Sequence, residues 1–161
     1  MDHKIYITEN SVSISVQLES MFELHSDDFK PSLLSRGENA SEVVENYTNG
    51  KCIVYAESSQ GDIIGFLAID PSGVRDPIEQ YCPCHYVNIA LVDDDHRGQG
   101  IGTELLSESI DNLLDEDSPY LGLRTREDNT TMQSVVESIG FQYKGSEYDN
   151  GYNRLYYIYE K

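Results

Sequence analysis

Positive charge is scarce in this chain. Eleven Lys and Arg face 29 Asp and Glu across 161 residues, a net charge of −18. Binding nucleic acid or an anionic membrane requires Lys and Arg to displace counterions, so the composition argues against both as partners. Two readings of the acidity stay open: attraction of cationic substrates such as amines, and the solvation of a salt-adapted protein. Long hydrophobic runs are missing as well. No apolar stretch approaches the length that spans a bilayer, and MDHKIYITEN (1–10) lacks the apolar core of a secretory signal, which predicts a cytoplasmic protein. Cysteine is limited to Cys52, Cys82 and Cys84, too few for a disulfide framework. CPCH (82–85) invites a metal reading, but a closed zinc site needs four ligands. No second close pair exists, and His3, His25 and His96 are scattered along the chain. Buried thiols are expected instead, and no metal site is predicted.

What is present predicts one domain over residues 1–161 with an ordinary hydrophobic content of 39%. KIYI (4–7) reads as a short strand. Residues 11–24 fit strand or helix; Ile14, Leu18, Met21 and Phe22 share a helical stripe, which favours helix. Residues 25–39 read as a polar loop, followed by a short helix with Ser41 as cap and Gly50 as stop. KCIVYAES and DIIGFLAID form a hairpin through SQG, and residues 71–80 a loop. In the strand CHYVNIALV (84–92), Val87, Ile89 and Leu91 are expected on one face, with Tyr86, Asn88 and Ala90 on the other. Leu106, Ile110 and Leu113 mark a helix that Pro119 breaks. YLGLRTR is a strand. Residues 130–139 form a helix capped by the Asp128-Asn129 pair and ended by Gly140. Two final strands flank Asp149-Asn150-Gly151, a strong hairpin signal. The order predicts an α+β fold with one parallel crossover.

The segment DDDHRGQGIGTELL (93–106) carries the chemistry. It joins a strand to a helix, whose first N–H groups are unpaired and whose dipole is positive there. That is an anion site. Gly98, Gly100 and Gly102 let the backbone approach a phosphate, and Gly102 could also seat the helix close to the sheet. Arg97 adds a planar cation suited to phosphate oxygens. The spacing is not that of a Walker loop, which needs a Lys after the glycines. It also misses the Rossmann pattern, because the third glycine comes one place early.

Arg97, Gly100 and Gly102 match [QR]-x-x-G-x-[GA], with Val92 at the strand end. In this the chain resembles the GCN5-related N-acetyltransferases. A second likeness is Asn129 followed by a helix and Gly140-Phe141. The element order agrees over residues 40–160. The resemblance implies a mixed, mostly antiparallel twisted sheet flanked by helices, and acetyl-CoA as co-substrate. It gives the backbone of Ala90 and Val92 to the pantetheine arm. The amides of Gly98, Gln99, Gly100, Ile101, Gly102 and Thr103 would hold the diphosphate, and Asn129 would touch the arm. The implied reaction is acetyl transfer to an amine by direct attack, with a homodimer as a possible assembly and the Tyr-rich terminal strand as its contact. The family often has Tyr seven residues after the Asn to protonate the thiolate; here that position is Val136. Another hydroxyl, a water or unassisted departure would have to serve. His85 and Glu79 are candidate bases. Arg124 and Arg126 could reach phosphates or pair with nearby carboxylates. A coenzyme-binding module without transfer activity is the alternative reading.

Overall fold

The computed structural model describes residues 2–25 and 39–161. Most of the region read as a polar loop, residues 25–39, therefore lies outside the described residues. Seven strands form one sheet: β1 (His3–Thr8), β2 (Cys52–Ser58), β3 (Ile63–Gly73), β4 (Cys84–Val92), β5 (Tyr120–Arg126), β6 (Gln142–Asp149) and β7 (Tyr152–Glu160). Their order is β1-β2-β3-β4-β5-β7-β6, antiparallel except for β4 beside β5. Four helices flank it: α1 (Ser15–His25), α2 (Ala40–Thr48), α3 (Ile101–Leu113) and α4 (Thr130–Ile139).

Each face of the sheet is covered by a different helix pair. Leu18, Met21 and Phe22 of α1 and Val43 and Val44 of α2 pack on Ile53, Phe66, Ile89 and Leu91. On the other face Ile101, Leu105, Leu106 and Ile110 of α3, with Val136 of α4, pack on Val54, Leu67, Val87, Leu121 and Leu123. Lys161 ties the last residue to this layer: its Nζ donates to the carbonyls of Ile110, Asp111 and Leu114 at the end of α3.

Several local expectations are corrected. The cap of α2 is Asn39, not Ser41. Asn39 and Glu42 form a reciprocal capping box, which satisfies two helix-end donors at once. The α3 helix ends at Leu113, well before Pro119. Residues 71–80 are not all loop, since β3 runs to Gly73 and a 3-10 turn covers Asp76–Tyr81. The final hairpin closes through Asn150 and Gly151, both at positive φ, so the strongest turn signal is a two-residue turn of the primed type.

The main departure lies in β4. Ile89 pairs with Ala68, but Val87 pairs with Ile69, so Asn88 is an extra residue. This bulge reverses the side-chain alternation. Val87 consequently packs under α3, while Ile89 and Leu91 pack under α1 and α2. The strict alternation read from the sequence therefore fails at one residue.

Candidate coenzyme and acceptor site

Strands β4 and β5 begin side by side and then part. Their parallel pairing is limited to His85 with Leu121 and Tyr86 with Gly122. β5 remains bonded to β7 along its whole length, from Tyr120 opposite Glu160 to Arg126 opposite Arg154. β4 remains bonded to β3 up to Val92. The gap that opens leaves Ala90 exposed in the middle of a seven-stranded sheet.

Backbone alternation fixes which groups of β4 face this gap. The N–H of Asp93 donates to Ile64 of β3 at 2.9 Å. Leu91 and Asp93 therefore direct their polar groups toward β3, and Ala90 and Val92 direct theirs into the gap. The Val92 carbonyl is engaged there by Arg97 Nε at 3.0 Å.

The glycine turn closes the wide end of the gap. Gly98 and Gly100 adopt φ of +74° and +83°, which only glycine takes without strain. A Cβ built on either would meet nothing within 4 Å, so their backbone lies open to a ligand. The first helical bond of α3 runs from the Glu104 N–H to the Gly100 carbonyl at 3.0 Å. The earlier amides of Ile101, Gly102 and Thr103 thus have no acceptor in a preceding helical turn. Gly102 is not the close-packing glycine: a Cβ there would come no nearer than 4.0 Å to Val92. That role falls to Gly65 of β3, where a Cβ would stand 3.1 Å from Ile101.

The acidic run before the turn is tied down. Asp93 accepts from His25 at 3.1 Å and from His96 at 3.0 Å. Its carboxyl is held below the usual range, first by the His96 hydrogen bond, against a smaller opposing effect of burial, and with help from His25. Asp94 pairs with Arg97 at 2.7 Å. Two histidines that looked scattered thus converge on one carboxylate, linking the end of α1 to this turn. His3 instead pairs with Glu104 of α3 at 2.7 Å.

The remaining candidates divide. Asn129 caps α4 by accepting the Met132 N–H at 3.2 Å. His85 sits where β4 and β5 are still paired, bonded to Ser118 at 3.1 Å, and burial pushes its pKa down. Seven steps along the strand, about 23 Å, separate it from Val92. Glu79 is exposed on the 3-10 turn. Neither is brought to the glycine turn. Val136 is fully buried in the α3–α4 core, so that position presents nothing to the gap. Arg124 pairs with Asp149 at 3.3 Å and Arg126 with Asp128 at 3.0 Å, in keeping with the carboxylate reading of both. Cys82 and Cys84 are free thiols 3.9 Å apart, and burial raises Cys84 to about 12. Among the described residues no cluster of three or more His, Cys, Asp or Glu could hold a metal ion, and no helix is long and apolar enough to cross a membrane. The Tyr-rich β7 lies inside the sheet between β5 and β6, so its edges are unavailable for strand pairing with a second copy.

A parted parallel strand pair, with an open glycine turn leading into a helix at its mouth, marks the candidate site of this α+β domain. The sequence profile of the acetyltransferase (GNAT) family matches residues 18–141, and the chain belongs to that family. It is 29% identical over 136 residues to an uncharacterized protein of Mycobacterium leprae (strain TN), covering 84% of this chain but 33% of that protein. The chain thus spans about a third of the length of that relative. A GNAT-family acetyltransferase from Bacillus cereus ATCC 10987 superposes with a TM-score of 0.68 at 18% identity, covering 98% of both chains. The yncA protein of Salmonella typhimurium, solved with its cofactor acetyl-CoA, superposes with 0.68 at 14% identity, over 99% of this chain and 94% of that one. At such identities these likenesses establish the fold.

Proposed function

We propose that the chain transfers an acetyl group from acetyl-CoA to an amine by direct attack. The observation that carries this reading is the gap between β4 and β5 beside an open-faced glycine turn. The amides of residues 98–103 take the diphosphate, as helix N-termini take anions generally. The exposed edge at Ala90 and Val92 pairs with the amide-bearing arm as a strand would. An N–H of that edge is the donor for the oxygen on which charge develops as the amine attacks. The C–N bond forms and the C–S bond breaks. The ammonium proton leaves through solvent, a route that needs neither His85 nor Glu79 in direct contact with the amine. With Val136 buried, the thiolate departs without a hydroxyl from that position.

The same burial of Val136 favours a second reading, a module that binds the coenzyme without transferring from it. Two measurements separate these. Calorimetric titration with acetyl-CoA tests the grip, and release of free thiol with a panel of amines tests transfer. Tight binding with no thiol release for any amine supports the module; no binding overturns both readings.

A further inference from the structure

We propose that the acceptor is an amine that also carries a carboxylate, and that Arg75 and Arg124 receive that carboxylate on the α1–α2 face of the gap. This rests on the transferase reading above and names its second substrate by class. Carboxylates outnumber cations roughly three to one in this chain, and Arg124 and Arg126 each have one as a partner. Arg75 does not. Its Nη2 donates to Asn88 Oδ1 at 3.0 Å and its Nη1 to the Val74 carbonyl at 2.7 Å. Its guanidinium lies 4.3 Å above the Tyr86 ring. Among the described residues no carboxylate stands within ion-pair distance of it. Neutral groups therefore hold a half-buried cation in a fixed orientation, and its charge is left for a ligand.

The position is set by the bulge. Asn88, the extra residue of β4, anchors Arg75 just past the last residue that pairs with β5. Across the gap, Arg124 stands two residues beyond Gly122 and so on the same face as the Gly122–Tyr86 pair. The Tyr86 ring covers Gly122, where a Cβ would meet it at 3.0 Å. Its hydroxyl is buried, makes no hydrogen bond of good geometry among the described residues, and lies close beside Arg75 and within electrostatic reach of Arg124. Arg124 donates to Tyr156 Oη at 3.3 Å and pairs with Asp149 in an ion pair about one-third exposed on each side. A ligand carboxylate can compete for such a solvent-facing pair. Glu147, which accepts from Tyr156 at 2.9 Å, and Asp149 add negative charge to the same cluster. The cluster thus offers one sign to a carboxylate and the other to an ammonium on the same small molecule.

The test uses N-acetyl amino acids, the products of such a transfer, titrated calorimetrically into the protein saturated with CoA. Each acid is compared with its C-terminal amide. The acids should bind at least about tenfold more tightly than the amides, as a charge-assisted arginine contact implies. Arg75→Gln should remove most of the difference, leaving only what Arg124 supplies, and Arg75→Lys should restore part of it, with CoA affinity unchanged in both. Tyr86→Phe keeps the ring over Gly122 and should weaken only the acids. Equal binding of acids and amides, or no binding of either to the CoA complex, overturns the proposal. Failure of CoA itself to bind instead overturns the coenzyme site. Tight acid binding without thiol release from the parent amino acids and acetyl-CoA overturns transfer alone.

Discussion

Gly100→Ala separates what the glycine turn does for the fold from what it does for a ligand. Gly100 sits at φ +83° with nothing within 4 Å of a built Cβ. An alanine there meets no atom of the protein, so its cost is backbone strain alone, about 1–2 kcal/mol. Gly50, between α2 and β2, is a matched control: its φ is +70° and its Cβ position is equally open. It precedes Cys52, which pairs with Ile69 at the end of the sheet opposite Val92. Gly50→Ala and Gly100→Ala should therefore lower the melting temperature alike, by roughly 2–8 °C at this chain length. On the proposed reading, only Gly100→Ala places a methyl where a diphosphate would approach the amides. Losing one or two charge-assisted hydrogen bonds there should cost about 2–4 kcal/mol of binding, or roughly 30- to 700-fold in the acetyl-CoA dissociation constant. Calorimetric titration and thermal melts of both variants supply all four numbers. Equal acetyl-CoA affinity in the two variants, at equal losses of stability, would refute the assignment of the turn.

Other perturbations test the scaffold around the turn. Gly65→Ala pushes a Cβ to 3.1 Å from Ile101 and 3.3 Å from the Leu91 carbonyl; it should destabilise by about 1–3 kcal/mol in chemical denaturation and also weaken coenzyme binding by shifting the start of α3. Asn129→Ala removes the α4 cap and should cost about 1 kcal/mol, whereas Asn129→Asp should keep most of it; denaturation curves of the two decide. Asp93 has a folded pKa depressed from 3.8, so the stability it supplies is complete above that value and is lost as pH falls through the lower folded one. The stability gap between the wild type and Asp93→Asn, read from urea curves, should therefore hold at neutral pH and narrow only below 3.8. His85, whose folded pKa is pushed below 6.5 by burial, works over another window. The unfolded chain takes up that proton first, so stability falls as pH drops below 6.5, and His85→Gln should remove this dependence.

Much of this architecture is legible in the sequence because its signals are local. Asn150-Gly151 dictates its turn by positive φ, and Asn129 and Gly140 bracket α4 at the expected residues. Val92 and the glycines that follow Arg97 placed the turn between β4 and α3, where the structure has it. What escaped depends on contacts between distant segments. The Asn88 bulge is a property of pairing with β3, and a regular alternation in CHYVNIALV conceals it. The joining of His25 to Asp93 spans 68 residues, which no spacing rule reaches. Arg75 lay in what read as a plain loop; only the fold sets it against Asn88 and Tyr86.

The proposed anion site is compatible with so acidic a chain because the nearest carboxylates already have partners. The three aspartates before the turn stand within a few residues of the amides assigned to a diphosphate, and free carboxylates there would oppose it. Asp93 is committed to two imidazoles and to the Asp95 backbone N–H, so its charge is already met by donors of α1 and of the residues that follow it. Asp94 is matched by Arg97, with both side chains about half exposed or more, so water also screens that pair. The backbone donors of residues 98–103 act at contact distance along the helix dipole, whereas the remaining charge acts through solvent. On the proposed reading, distance and screening together would let a few oriented amides prevail locally over a net charge of −18. Rising salt should then leave coenzyme affinity nearly constant, because it weakens the distant repulsion and the helix-end attraction together. A steep fall of affinity with salt would mean that long-range cationic attraction, which this composition does not offer, holds the coenzyme instead.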